Sequence, residues 1–304
     1  MKSPHVSFIV VSYNRRENTV SCLNSIYSLD YPSFDIIVVD GSTDGTTEEV
    51  KKRFPQTKII QNKENLGVVK AHNIGLEETS GDYVIRVDDD VTLEKNFLKE
   101  LVNVMESDPT VGIAGPKIYY LRHHGLLWCV GGKIEWWRGK DVTLGDGEKD
   151  VGQYNTRREV DYIGCCMLVR REVVEKIGKL DECYFLYFED LDYNVRARKA
   201  GYRIIYVPSA VAYHDIPLKD GSRSVSNSRD ASRFYYHTRN KFIFFKKYAT
   251  NLQFASIILH FTFFELPGLG VRYILYFRDI KTLKAGLNII KDLPSVILRK
   301  KNVV

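Results

Sequence analysis

The sequence predicts an α/β fold: a Rossmann-like, mixed but mostly parallel sheet flanked by helices, followed by a helical, aromatic and basic C-terminal tail. Through the first half of the chain, short runs of β-branched residues alternate with segments of helical periodicity. The runs are apolar on both faces, which is typical of parallel strands covered by helices on either side. At 304 residues and 44% hydrophobic composition, the chain is long enough to bury a sizeable core.

Four strands are predicted in the first half, separated by helix-length connections. Val20, Leu23 and Ile26 recur at helical spacing after the first strand, and a second helical stretch lies near residues 68–79. The strand segments are VSFIVVS (6–12), DIIVVD (35–40), KIIQN (58–62) and DYVIRVD (82–88).

The second half is less regular but is predicted to continue the sheet. Residues 111–170 contain several candidate strands among Gly and Trp residues, and we interpret them as an extension of the same sheet. Residues 189–200 are predicted to be helical, and the RIIYVP run that follows is predicted to be a strand.

The net charge of +6 is concentrated in the tail. Residues 234–304 hold 12 Lys or Arg against 3 Asp or Glu, a balance of +9 that leaves −3 for the rest of the chain. This asymmetry indicates an anionic partner, a membrane or a nucleic acid. Glu265 and Arg272 interrupt the apolar run, so the tail is predicted to lie in the membrane interface and not to span the bilayer. The alternative is a helical subdomain that packs on the preceding residues or on a dimer partner.

Five cysteines without CxxC spacing argue against a disulfide framework and against a zinc site. The apolar run at the N-terminus is too short for a signal peptide and has no small-residue cleavage site. These features predict a reducing, cytoplasmic compartment.

Polar clusters follow three of the predicted strands, and this indicates a ligand site. The clusters are SYN (12–14), DGSTDGT (40–46) and DDD (88–90). In open α/β sheets, ligands bind beyond the carboxyl ends of the strands. Polar loops are common, but three of them at one edge of a sheet favour a site.

The DDD cluster has the composition of a site for a hard divalent cation, which prefers oxygen ligands and often keeps substrate phosphates among them. In an extended chain, Asp88 and Asp90 would point to one side and Asp89 to the other. A solvated acidic turn is the alternative interpretation.

A second acidic cluster lies in FLYFEDLDYNVRARKAGYRIIYVPSAVAYH (185–214). Glu189, Asp190 and Asp192 come at the predicted start of a helix, where carboxylates complement the helix dipole. Helix capping would explain one of them and leaves two without a structural reason. His214 follows a predicted strand, and a structural role is the alternative for it.

The motifs VSYN, VVDGSTDGT, ENLG, VDDDV and FEDLDYNVRARKAGY, in this order and at these separations, resemble the family 2 glycosyltransferases with the A-type fold. The similarity covers roughly residues 5–245, and within the family the chain is similar to the rhamnosyltransferase and galactofuranosyltransferase branch. It implies an inverting transfer of sugar from a UDP-, dTDP- or GDP-linked donor to a hydroxyl of a glycan or lipid-linked acceptor.

The resemblance also implies roles for matching residues. Asp190 would be the catalytic base with Glu189 beside it, and Asp88, Asp90 and His214 would hold Mg²⁺ or Mn²⁺. The nucleotide sugar would contact Val11, Ser12, Tyr13, Asn14, Glu17, Asp40, Ser42, Asn65, Gly67, Asp88 and Asp89.

The implied organisation is a nucleotide-sugar-binding half (1–120), an acceptor-binding half of the same domain (121–233), and a membrane-associating or packing segment (234–304). The enzyme would lie on the inner face of the cell membrane, with no nucleic acid partner; a homodimer is compatible with this interpretation. The QxxRW motif of processive synthases is absent, which predicts a non-processive enzyme. Gly41 stands where many family members carry Asn or Asp.

Two other functions remain open at this point. A sugar nucleotidyltransferase also combines a Rossmann-like sheet with acidic metal ligands, but its Gly-rich loop after the first strand is replaced here by SYNRREN. A nucleotide-sugar-binding protein without turnover would retain the pocket and need no catalytic base.

Overall fold

The computed structural model describes residues 3–218, 231–267, 284, 288–289, 291–292 and 294–295. The first half alternates strands and helices as predicted. Its elements are β1 (Val6–Ser12), α1 (Arg16–Tyr27), β2 (Phe34–Asp40), α2 (Thr46–Arg53), β3 (Lys58–Gln61), α3 (Gly67–Glu77), β4 (Tyr83–Asp88), β5 (Val91–Leu93) and α4 (Phe97–Ser107).

The second half adds shorter strands and two helices before the tail. Its elements are β6 (Val111–Tyr120), β7 (Leu127–Cys129), β8 (Gly132–Glu135), β9 (Lys140–Thr143), β10 (Arg158–Glu159), β11 (Met167–Arg170), α5 (Arg171–Ile177), α6 (Glu189–Lys199) and β12 (Arg203–His214). The tail contains α7 (Ala231–Tyr248), α8 (Asn251–His260) and a π-helical turn (Phe261–Glu265).

The central sheet has the order β10-β12-β6-β11-β4-β1-β2-β3, with β5 paired to β12 and β7 paired to β6. Strands β4, β1, β2 and β3 are parallel, and β12 is parallel to β6. Strand β11 is antiparallel to both of its neighbours, β4 and β6. The predicted α/β fold with a mixed sheet is therefore confirmed. Strands β8 and β9 form a separate two-stranded sheet.

Both faces of the parallel strands β1, β2 and β4 are buried, as their apolar sequences predict. In β2, Ile36 and Val38 belong to the large core cluster that includes Leu23 and Ile26 of α1. The alternate residue Val39 packs with Ala71 of α3 on the other face. Continuous burial of this kind fixes the register, since a shift of one residue would exchange the two faces.

Strand β12 continues beyond the predicted RIIYVP run, because a bulge lets the chain pass Pro208 without ending the strand. The register with β6 shifts between Val207 and Val211, so the proline does not need to donate a ladder hydrogen bond. The strand then runs to His214, which pairs with Val91 of β5. This extension places His214 beside the aspartates that precede β5.

The chain divides into two compact units. The first comprises Met1–Lys133, Thr143–Phe185 and Glu189–Leu218, and the second comprises Ile134–Val142, Leu186–Phe188 and Lys219–Val304. The predicted boundaries at residues 120 and 233 remain a prediction.

Within the second unit, α7 packs through aromatic side chains. The Trp136 ring stacks on Phe244 with centroids 6.0 Å apart, and Asn240 donates to the carbonyl of Leu186 at 2.8 Å. Helix α8 begins with a capping box formed by Thr250 and Gln253. Helical structure for the tail is thus found in its described residues. None of the helices in those ranges combines the length and hydropathy needed to span a bilayer.

Candidate active site

The polar clusters that follow β1, β2 and β4 lie at the same edge of the sheet. Ser12 of β1 pairs with Asp40 of β2, and Val11 pairs with Asp88 of β4. Because these strands are parallel and in this register, all three carboxyl ends reach the same level. The loops after them therefore face a common space, as the sequence predicts.

The loops after β1 and β2 are tied to each other by hydrogen bonds. The Asn14 backbone N–H donates to Ser42 Oγ at 2.7 Å, and Asn14 Oδ1 accepts from the Thr43 N–H at 2.8 Å. Asn14 has a φ of 53°, a left-handed conformation that Asn tolerates better than most residues. The predicted contacts of Asn14 and Ser42 with a nucleotide would thus come from one preorganised loop pair.

Asp40 is fully buried and holds the second loop in place. One carboxylate oxygen accepts from the Ser42 backbone and hydroxyl, and the other accepts from the Thr47 hydroxyl. A direct contact of Asp40 with a nucleobase would require this loop to open. At Gly41, an added Cβ would lie 2.8 Å from the Glu64 carbonyl oxygen. The loop therefore has no room at this position for the Asn or Asp that many family members carry.

The other predicted nucleotide-sugar residues are distributed around this edge. Tyr13 is 45% exposed, and Glu17 is exposed in the first turn of α1. Asn65 Oδ1 accepts from the Gly67 N–H at 2.9 Å. Gly67 has a φ of 77°, and an added Cβ there would be 2.5 Å from the Phe185 ring. Glycine is therefore needed where the ENLG loop contacts the segment before the second acidic cluster.

The three aspartates are placed by a turn, and the expected strand alternation ends at Asp88. Strand β4 stops there, and Asp89 and Asp90 form the turn into β5. Arg15 contacts both turn residues: its Nη1 is hydrogen bonded to Asp90 Oδ2 and lies 3.6 Å from Asp89 Oδ1. We predicted that strand alternation would place Asp88 and Asp90 on one side. That reason is wrong, because the strand ends at Asp88 and the chain then reverses direction.

Burial and mutual repulsion perturb these carboxyl groups. Burial, followed by the charge of Asp90, raises the pKa of Asp88 to about 6. Burial also raises the pKa of Asp89 to about 7 against the opposing effect of Arg15. Burial acts in the same direction on Asp90, but hydrogen bonds and charges from His214 and Arg15 outweigh it and lower its pKa. Burial thus opposes the charged form of all three carboxyl groups. A bound cation would favour the charged form and offset this effect.

His214 completes this cluster from β12. Its Nε2 lies 2.9 Å from Asp90 Oδ1, and its ring makes an edge-on contact with Trp128 at 4.4 Å between centroids. The side chain is 7% exposed, and Nδ1 is buried without a hydrogen-bond partner among the described residues. Asp88, Cys165 and His214 each offer one potential ligand atom, and these three atoms lie within 4.8 Å of one another.

The donor set fits a divalent cation. Two carboxylates and an imidazole are ligands that Mn²⁺ accepts. Asp90 already pairs with one positive charge, that of Arg15. The unsatisfied ring nitrogen of His214 is a further sign that this buried cluster lacks one partner. Of the predicted metal ligands, Asp88, Asp90 and His214 are thus brought together.

The second acidic cluster is anchored by an arginine from β4. Arg86 Nη1 donates to Asp190 Oδ1 at 2.7 Å, and its Nη2 is 4.0 Å from Glu189 Oε1. In the described part of the chain, Asp190 Oδ2 makes no hydrogen bond, and the Asp190 side chain is 21% exposed. An added Cβ at Gly164 would be only 3.3 Å from that oxygen. Asp190 thus has one oxygen held and one oxygen open.

Glu189 and Asp192 differ from Asp190. Burial, helped by the neighbouring Asp190 charge, raises the pKa of Glu189 to about 8, so Glu189 is largely protonated at neutral pH. Asp192 is fully buried and pairs with Arg196 one turn later at 2.8 Å. The three carboxylates, of which helix capping could explain only one, therefore differ: Asp190 has an open oxygen, Glu189 is a largely protonated acid, and Asp192 belongs to a buried ion pair.

Three residues of the site were not singled out from the sequence. They are Arg15, Arg86 and Cys165. Arg86 had a visible signal, because it is the only charged residue inside the buried run YVIRV. A buried cation needs an acidic partner, but the sequence does not say that this partner lies 104 residues away.

The chain is similar in sequence to known glycosyltransferases. The family model described as Glycosyl transferase family 2 matches residues 7–178, more than half of the chain. An N-acetylglucosaminyl-diphospho-decaprenol L-rhamnosyltransferase of Mycobacterium tuberculosis is 28% identical over 267 residues, which cover 78% of this chain and 82% of that protein. The amylovoran biosynthesis glycosyltransferase AmsE of Erwinia amylovora is 26% identical over 73% of this chain and 79% of its own length.

Solved structures show the same fold. The mannosyltransferase PcManGT from Pyrobaculum calidifontis, in complex with GDP-Man and Mn²⁺, has a TM-score of 0.59 at 19% identity, over 96% of this chain and 81% of its own. TarS 1-349 of S. aureus in complex with UDP-GlcNAc has a TM-score of 0.60 at 19% identity, with the same coverage of both chains.

Proposed function

Because the chain belongs to glycosyltransferase family 2, we propose that it is an inverting, metal-dependent and non-processive enzyme. It moves a sugar from a nucleoside-diphosphate sugar to a hydroxyl of a glycan or lipid-linked acceptor. The observation that carries this proposal is the Asp190 carboxylate, with one oxygen held by buried Arg86 and the other open, beside the cluster of Asp88, Asp90 and His214.

The donor would bind over the loops that follow β1 and β2. Asn14 and Ser42 lie in the hydrogen-bonded loop pair, where backbone and side-chain groups can contact the base and the ribose. Asp88 at the end of β4 would lie between the ribose and the diphosphate. The choice of sugar and of nucleotide, whether UDP, dTDP or GDP, depends on a few contacts in this pocket.

A divalent cation, Mg²⁺ or Mn²⁺, would be held by Asp88, Asp90 and His214. When bound, it would neutralise the diphosphate and so improve it as a leaving group. Arg15, which is hydrogen bonded to Asp90 Oδ2, is placed to release that carboxylate and contact the diphosphate instead.

Asp190 would act as the general base. Its open Oδ2 accepts the proton of the acceptor hydroxyl as that oxygen forms a bond to C1 of the donor sugar. The bond from C1 to the diphosphate breaks on the opposite face, which inverts the anomeric configuration. Arg86 fixes the direction of the carboxylate by holding Oδ1. Glu189, largely protonated, adds little negative charge beside the base.

Release of nucleoside diphosphate from a panel of nucleotide sugars, with Mn²⁺ and with EDTA, tests this proposal. At least one donor is expected to be cleaved, by transfer or by slow hydrolysis, and EDTA is expected to stop the release. Binding without release from any donor would favour a binding protein. Release of pyrophosphate from a nucleoside triphosphate and a sugar 1-phosphate would favour a nucleotidyltransferase.

The acceptor and the location are part of the same proposal. The Mycobacterium tuberculosis relative is named for an N-acetylglucosaminyl-diphospho-decaprenol, a lipid-linked acceptor. In this chain, four large apolar side chains of the tail are strongly exposed: Leu252 (70%), Leu259 (57%), Phe263 (66%) and Phe264 (72%). Lys246 and Lys247 precede them at the end of α7. We propose that this segment binds the inner, anionic face of the cell membrane.

Flotation with anionic vesicles tests the membrane contact. The double substitution Phe263→Ser and Phe264→Ser is expected to reduce the bound fraction several-fold, because it removes two aromatic side chains from the lipid contact. Val151→Ser is the matched control, since Val151 is 78% exposed but lies outside the tail. Equal flotation of the double variant and the wild type would contradict the proposal and favour the packing or dimer role.

A further inference from the structure

We propose that Cys165 is a further protein ligand of the cation site, beside Asp88, Asp90 and His214. Its sulfur would make the site bind Zn²⁺, Co²⁺ and Cd²⁺ more tightly than Mg²⁺. The inference rests on the proposed function in one respect only, because it concerns the same cation site. A thiolate is a soft ligand, and sites that contain one select zinc-class cations over Mg²⁺.

The first observation is the distance among the ligand atoms. Single atoms of Asp88, Cys165 and His214 all lie within 4.8 Å of one another. In a tetrahedral zinc site, with bonds of about 2.0 Å to nitrogen or oxygen and 2.3 Å to sulfur, the ligand atoms are roughly 3.5 Å apart. Side-chain movements on the order of 1 Å would therefore bring these three groups around one ion.

The second observation is the way the sheet delivers the sulfur. Strand β11 is antiparallel to β4, with Met167 opposite Arg86. Continuing this register by two residues brings Cys165 level with Asp88. Cys165 has a φ of 58°, in the left-handed region that a residue other than Gly or Asn occupies at a cost. The bend at Cys165 thus occurs at the position that faces the end of β4.

The third observation is an unsatisfied group in the same cluster. His214 is 7% exposed, its Nε2 is engaged by Asp90, and its Nδ1 has no partner among the described residues. A buried imidazole nitrogen without a partner needs an explanation, and a bound ion would supply one. His214 at the end of β12 and Cys165 just before β11 belong to one group of potential ligands.

The adjacent cysteine provides a contrast. Both cysteines belong to the large core cluster, and their sulfurs are 3.8 Å apart, but Cys165 is 8% exposed and Cys166 is fully buried. Cys166 is absent from the group of potential ligands. Cation binding at Cys165 would release the thiol proton to solvent and leave a metal–thiolate bond, with no change of oxidation state.

Titration of the full chain with Co²⁺, in the absence of nucleotide, tests the inference. The wild type is expected to develop the near-ultraviolet charge-transfer band of a cobalt–thiolate bond. Cys166→Ala is expected to keep the band, and Cys165→Ser is expected to lose it. The Co²⁺ and Zn²⁺ affinities should fall roughly 10-fold or more in Cys165→Ser, with a smaller change for Mg²⁺. A wild type without the band, or an undiminished band in Cys165→Ser, would overturn the inference.

The cobalt titration does not use turnover, so the two proposals can fail separately. A cobalt–thiolate band without any nucleoside diphosphate release would remove the proposed function, and release with Mg²⁺ but no band would remove the role of Cys165.

Discussion

Asp190→Asn is expected to lower sugar transfer by roughly 10²–10⁴-fold, the usual contribution of a general base. The amide oxygen can still accept the hydrogen bond that Arg86 Nη1 donates at 2.7 Å, so the geometry of the side chain should be kept. An amide cannot take up a proton at neutral pH, so the acceptor hydroxyl would lose its base. Donor binding should persist, because the nucleotide would lie over other loops. Initial rates of transfer and calorimetric titration of the donor separate the two effects.

Asp161→Asn is the matched control for that substitution. Asp161 pairs with Arg198 near the other end of α6, and its side chain is 25% exposed. Removing this surface pair should cost about 0–1 kcal/mol of unfolding free energy and leave the rate of transfer close to that of the wild type. Wild-type turnover in Asp190→Asn, or an equal loss in Asp161→Asn, would contradict the assignment of the base.

Arg86→Leu is expected to lower both stability and turnover. Arg86 is 8% exposed in the central strand β4, and its guanidinium contacts Asp190 and Glu189. Removing one partner of a buried ion pair costs about 3–5 kcal/mol, because the remaining charge is left uncompensated. The Asp190 side chain is 21% exposed, so water can partly solvate its charge once Arg86 is gone. We therefore expect a loss of unfolding free energy near the lower limit of that range, about 3 kcal/mol. Denaturant unfolding measures this change.

Kinetics separate a positioning role of Arg86 from a purely structural one. In Arg86→Leu, kcat should fall while the KM for the donor changes little. The reason is that Arg86 contacts Asp190, the proposed general base, and not the loops after β1 and β2 that would bind the nucleotide.

Arg86→Lys should give a partial rescue of kcat, because it keeps the charge but not the planar arrangement of donors. A folded Arg86→Leu enzyme with wild-type kcat would show that Arg86 only supports the fold.

The sheet and its polar edge could be predicted because both depend on local pattern. Apolar runs of strand length define β1, β2 and β4, and the parallel arrangement then brings Ser12, Asp40 and Asp88 to one level. The order of these elements needs no information from distant parts of the chain. The motifs of the family are also short and local, so they can be recognised from the sequence alone.

Local pattern does not predict the partners of the site, because they come from long-range pairing, and His214 is assigned to the metal only through the family resemblance. The bulge after Val207 carries β12 past a proline that normally ends a strand, and this brings His214 to Asp90. The antiparallel insertion of β11 brings Cys165 near the end of β4. Neither event leaves a periodic signal in the sequence. Spacing alone therefore identifies the acidic residues and not what each of them contacts.

Calorimetric titration of a nucleoside diphosphate, with and without Mn²⁺, tests the central claim most directly. The claim is that Asp88, Asp90 and His214 hold a cation that binds the diphosphate of an activated sugar. Binding to the wild type is expected to require Mn²⁺, and Asp90→Asn should abolish that requirement together with most of the affinity. Tight binding that is independent of Mn²⁺, or unchanged in Asp90→Asn, would contradict the claim.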